Sequence, residues 1–114
     1  MSEVKASYNG QGVPLTVEAF KNRSCGLGVE HPDFVQPTPQ EVKALRELIG
    51  FSQVDLAKLT GVSWNDKGAS SVRKWETLSG KESRAISPSA WQLMLIKAGL
   101  ITIEPVNINY NKTQ

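Results

Sequence analysis

Hydrophobic positions fall into two regimes along this chain. Between Thr38 and Gly99 they recur at helical spacing in four short blocks, each fenced by turn residues. The first block sets Val42, Leu45, Leu48 and Ile49 on one face. It opens on Thr38-Pro39-Gln40-Glu41, where Thr caps, Pro suits the first turn and Glu closes a capping box. Gly50 supplies the left-handed stop. Ser52-x-x-Asp55 is a second capping box, and Leu56, Ala57 and Leu59 are the inward positions of the helix it starts, which ends at Gly61. A third helix is predicted from Ala69 to Leu78, with Val72 and Trp75 one turn apart. A fourth begins at Ser87-Pro88 and carries Ala90, Trp91, Leu93, Met94, Leu95 and Ala98 up to Gly99.

The flanks read differently. Residues 1–36 hold Asn9-Gly10, Gly12, Pro14, Gly26, Gly28 and Pro32, the punctuation of an irregular arm. One short helix is predicted there, over Val17–Ser24 behind Thr16 as N-cap. Residues 101–114 form a β-prone tail in which Ile101, Ile103, Val106, Ile108 and Tyr110 alternate around Pro105. A lone strand cannot satisfy its own backbone, so this tail is expected to pair with the arm or with a second copy. The expected organisation is an arm at 1–36, an all-α domain at 37–100 and a tail at 101–114.

At 114 residues and 39% hydrophobic, the chain supports one modest core. No run of apolar residues is long enough to span a membrane. The opening MSEVKASYNGQG lacks the order of a secretory signal, and a single cysteine, Cys25, allows no internal disulfide. Both point to the cytoplasm. The net charge of +2 decides little, but its distribution is uneven. Residues 1–36 carry three Lys/Arg against four Asp/Glu; residues 67–84 carry Lys67, Arg73, Lys74, Lys81 and Arg84 against Glu76 and Glu82. A basic stripe of this kind is either a nucleic-acid footprint or a solvated helix face. Catalytic and metal chemistry find little support. Cys25 and His31 are too few for a metal set, and Gly26-x-Gly28 follows no strand that would make it a phosphate cradle. No cofactor is expected.

Gln53, Ala57 and Gly61 lie at intervals of four. Two helices joined by a tight turn need a small residue where they cross and one tolerant of positive φ at the turn; Ala57 and Gly61 meet those demands. The run FSQVDLAKLTGVS…SSVRKWE resembles the lambda-repressor/Cro-like (XRE) helix-turn-helix family. Ser52-Gln53, Leu56-Ala57, Gly61-Val62-Ser63, Val72 and Trp75-Glu76 carry the likeness, which extends over residues 38–100. The sequence departs from the pattern at one point. Eleven residues separate Ser63 from Trp75, where the family has about six. Trp64-Asn65-Asp66-Lys67-Gly68 is thus an insertion at the turn.

The resemblance implies a lambda-repressor-like domain of four to five helices that binds double-stranded DNA as a homodimer on an inverted repeat, as a repressor of its own or a mobile-element promoter. It puts Ser70, Ser71, Arg73 and Lys74 on a recognition helix. Gln53 would meet a backbone phosphate, and Lys67 in the insertion would reach a phosphate or groove edge. Trp64 either plugs the core beside the turn or touches DNA. Trp91 is core or dimer interface, and Lys81 and Arg84 are phosphate contacts or solubilising charges. The alternative function is a protein-interaction module, such as an antitoxin, using the same helices.

Overall fold

A computed structural model of the chain describes residues 13–102. Among them are five α-helices: α1 (Val17–Phe20), α2 (Pro39–Leu48), α3 (Gln53–Thr60), α4 (Ser70–Trp75) and α5 (Pro88–Lys97), with a 3-10 turn at Ser24–Gly26. The described chain is therefore mostly helical, as the apolar periodicity implies. No helix in it is long and apolar enough to cross a membrane. The alternating segments Ile103-onward, and any strand or dimer contact they make, lie outside the described residues.

The helix starts follow from local chemistry. Thr38 Oγ1 accepts from the Glu41 amide at 3.2 Å while Glu41 Oε1 accepts from the Thr38 amide at 2.8 Å. Ser52 and Asp55 repeat the exchange at 3.0 and 2.9 Å. Each exchange satisfies two amides that the first helical turn leaves orphaned. The Asp55 carboxyl is held below its usual range because the Ser52 amide and hydroxyl both donate to it. Thr16 and Ser87 cap α1 and α5 from their hydroxyls. At the other end of α3, Gly61 adopts φ 81° and the amides of Gly61 and Val62 both return to the Ala57 carbonyl.

Two helices end earlier than periodicity suggests. α1 stops at Phe20 and the chain tightens into the 3-10 turn, where a Cβ on Gly26 would collide with the Phe20 carbonyl oxygen. α4 ends at Trp75 rather than Leu78, because its last carbonyls take other donors. The Thr77 hydroxyl donates to the Arg73 carbonyl at 2.8 Å, and the Arg84 amide, from the far side of the following loop, donates to the Lys74 carbonyl at 3.0 Å.

The core forms where α3 packs against both α4 and α5, with α2 closing on α5. Leu45, Leu56, Ala57, Val72, Trp75, Ile86, Trp91, Met94 and Leu95 are buried in it. Trp91 is core, with no exposed surface. The segment read as an arm contributes as well. Phe20 and Cys25 belong to the same core, the Phe20 and Trp91 rings lie 6.3 Å apart at 56°, and Trp91 Nε1 donates to the Cys25 carbonyl at 2.7 Å. The segment is irregular in backbone yet fastened to α5, where the Gln92 side chain also accepts from the Val29 amide.

Candidate functional site

α3, with Ala57 buried in it, packs against α4, and the amino ends of both helices border one cleft. Val72 and Trp75 anchor α4 inward, which leaves Ser70 and Arg73 exposed, Lys74 partly covered and Ser71 at the flank. At six residues α4 is only about 9 Å long. Its outer face is therefore little more than those side chains.

Behind them lies a buried ion pair. Arg46 of α2 meets Glu76, just past α4, through Nε to Oε2 and through Nη2 to Oε1 at 3.1 Å. Its Nη1 donates to the Phe51 carbonyl at 2.8 Å. The two side chains are 10% and 5% exposed. Gln53, the first residue of α3, joins them: its amide nitrogen donates to Glu76 Oε1 at 3.0 Å. One of its two N–H donors is thus spent inside the protein, and the other stays available. This network ties α2, α3 and α4 at one point, and the charge pattern alone gave no sign of it.

Residues 64–68 form a tight hairpin. Asn65 and Gly68 exchange backbone hydrogen bonds at 2.9 and 3.0 Å, and Asn65 Oδ1 accepts from the Lys67 amide at 2.8 Å. Gly68, at φ 131°, takes a backbone that L side chains rarely adopt. Asp66 and Lys67 stand exposed at the tip. Trp64 at its base is 48% exposed, so it does not plug the core. Instead the Lys58 ammonium sits 4.7 Å from its ring centroid, a cation–π contact.

Between this hairpin and the starts of α3 and α4 is an open cleft of about 300 Å³. Gln53, Lys67, Ser70 and Arg73, four of the six side chains singled out in the sequence, line it together with Trp64. The other two do not. Ser71 lies on the flank of α4, and Lys74 turns toward the loop after it. There Glu82 faces both cations, 3.5 Å from Arg73 Nη2 and 4.0 Å from Lys74 Nζ. Lys81 and Arg84 are exposed on the same loop. In the sequence Glu82 is only one acidic residue among the cations; its position opposite Arg73 and Lys74 depends on how the loop folds back.

The remaining chemistry is sparse. Burial, with the Glu41 carboxylate nearby, pushes the Cys25 thiol up to about 12, so it stays protonated and poorly nucleophilic. No three His, Cys, Asp or Glu residues among the described residues are grouped to hold a metal ion. In comparisons with known proteins, no family model matches the chain, and neither a curated protein nor a solved structure matches it significantly.

Proposed function

We propose that this protein is a sequence-specific DNA-binding regulator with a lambda-repressor-like helix-turn-helix, acting in the cytoplasm as a homodimeric repressor. The observation that carries the reading is the single outward surface formed by the cleft and α4. Gln53, Lys67, Ser70 and Arg73 border the cleft, and Lys74 adjoins them on α4. These are two amide or hydroxyl donors and three cations, the donor types that recognise phosphate oxygens and guanine edges. In this reading α4 enters the major groove by its amino end. Arg73 and the Ser70 and Ser71 hydroxyls meet base edges, and Gln53 and Lys67 hold the flanking phosphates. The ion pair of Arg46 and Glu76 fixes the angle between α3 and α4, and so which base pairs the side chains reach.

One such unit buries only roughly 600–1,000 Å² on DNA, too little for tight specific binding at cellular salt. Two copies related by a two-fold axis would read two half-sites about one helical turn apart. Selection from a random duplex pool tests this directly. The expected product is an inverted repeat bound by two copies; an asymmetric site bound by one copy contradicts the dimer.

A second reading, a protein-interaction module of antitoxin type, draws on the loop after α4. Leu78 there is 61% exposed, and Glu82 offsets two of the cations beside it. Weak retention on heparin, with a specific protein captured through Leu78, would favour it.

A further inference from the structure

Trp64 is the largest exposed aromatic among the described residues, and it is held in place. A freely rotating tryptophan on a loop would bury its face against the nearest apolar surface, since exposing apolar area to water is unfavourable. This one sits at the base of a hairpin closed by two backbone hydrogen bonds and an Asn65 side-chain bond. The Lys58 ammonium covers its ring from one direction, and the indole forms a wall of the cleft. Lys67 and Arg73 line the same space, Arg73 with its Nη2 also 3.5 Å from Glu82, and Lys58 stands over the ring. The Gln53 amide retains one N–H donor there, its other being fixed on Glu76. At about 300 Å³ the cleft is at the small end of ligand-binding clefts. It is too small for a length of duplex and suited to one unit of a strand.

An aromatic face, two cations and an amide donor around a space of that size match the parts of a nucleotide. The ring face takes a sugar, and a cation and the amide take the phosphate oxygens. We propose that the hairpin converts the turn into a slot that grips a single nucleotide of a bound DNA strand, with its sugar against Trp64 and its phosphate between Lys67 and Gln53. This rests on the DNA-binding reading but adds to it. The insertion would then be a reading element in its own right, next to α4 and reaching a nucleotide that α4 does not touch. A free nucleotide offers the same chemistry, and the experiment separates the two sources.

Trp75 and Trp91 are buried, so quenching of tryptophan fluorescence by acrylamide reports chiefly on Trp64. The intact protein is titrated at low salt with a short mixed-sequence duplex and, in parallel, with thymidine 5′-monophosphate, while anisotropy of labelled duplex reports binding itself. The duplex is expected to remove the quencher-accessible fraction. Trp64→Ala should weaken duplex binding by about 5-fold, the lower end of what one aromatic contact to a nucleotide contributes. Trp64→Phe, which keeps a ring, should recover most of it. Because Trp64 is half exposed, neither variant threatens the core, and a thermal melt matching the parent's checks that. Protection by the monophosphate as well as by the duplex supports the slot, because the bound unit is the same. If the duplex binds while neither ligand protects Trp64, or if Trp64→Ala binds duplex like the parent, the slot is wrong and the DNA-binding reading survives. If the monophosphate alone protects Trp64 while duplex binds, the assignment to a strand is overturned in favour of a free nucleotide. If no duplex binds even at low salt, both readings fall.

Discussion

The two Arg–Glu contacts on either side of α4 use the same chemistry to different ends. Arg46 and Glu76 meet beneath the helix, almost out of water, with a second guanidinium contact and a carbonyl bond beside them. Arg73 and Glu82 meet above it at 3.5 Å, each more than half exposed. In water the outer pair contributes roughly 0–1 kcal/mol and is screened by salt. The inner pair is different: charges taken from water are tolerable only while each keeps its partner. One contact is therefore part of the scaffold, and the other is a loan that a polyanion can call in. Residues that hold a helix at its angle need to be dry and fully bonded. Residues that meet a ligand need partners they can leave.

The largest effect should come from breaking the inner pair. Glu76→Ala strands Arg46 in the interior and removes the partner of Gln53, at a cost of about 3–5 kcal/mol. Out of a total of roughly 5–15 kcal/mol, that loss should be plain in a denaturant melt. Replacing Arg46 and Glu76 together with apolar residues of similar volume should recover much of it. If Glu76→Ala melts like the parent, the network is not what orients α4.

A smaller effect separates the side chains on the outer surface from one another. Arg73→Ala or Ser71→Ala should relax preference at particular base pairs by roughly 1–3 kcal/mol where a good contact is lost. Lys67→Ala should instead weaken binding to every sequence alike and lower the salt slope by about one. Affinities on matched and mismatched duplexes at two salt concentrations check both. A Lys67→Ala protein that binds like the parent at every salt would turn the hairpin tip away from DNA.

The smallest effect concerns the outer pair itself. Glu82→Gln should leave the melt within about 0.5 kcal/mol of the parent, as surface changes usually do. It should also tighten duplex binding by a few-fold at low salt, by releasing Arg73 and Lys74 from a competing carboxylate. Unchanged affinity would mean that Glu82 already stands clear of the bound strand.

The contrast between inner and outer surfaces also marks what could be read from the residues alone. Capping needs only neighbours three positions apart, so Thr38 with Glu41, Ser52 with Asp55, and Ser87 before Pro88 stand out in the string and in the structure. Ala57 and Gly61 were legible for the same local reason. The Arg46–Glu76–Gln53 network was not, because its members are 30 and 23 positions apart and no local pattern joins them. Phe20 falls in the short helix predicted behind Thr16, but Cys25 lies beyond it among glycines, so its place in the core emerges only from packing. Trp64 was legible as an aromatic in an insertion and nothing more. Its outward pose depends on the Asn65–Gly68 exchange and on Lys58 arriving from α3. Among the candidate site residues, Gln53, Lys67, Ser70 and Arg73 come together at the cleft, while Ser71 and Lys74 lie outside it, and Glu82 reaches both Arg73 and Lys74 from a loop with no local pattern to reveal its course.

We propose that the outer surface exchanges its weak internal contacts for phosphates. The most direct test is the affinity of the intact protein for its selected duplex, measured across salt concentration by anisotropy. A dimer that neutralises roughly 6–10 phosphates should lose on the order of 10³–10⁵ in affinity between about 50 and 200 mM salt. A flat response would contradict the account, and the cations of α4 and the hairpin would then be a solvated surface rather than an interface with DNA.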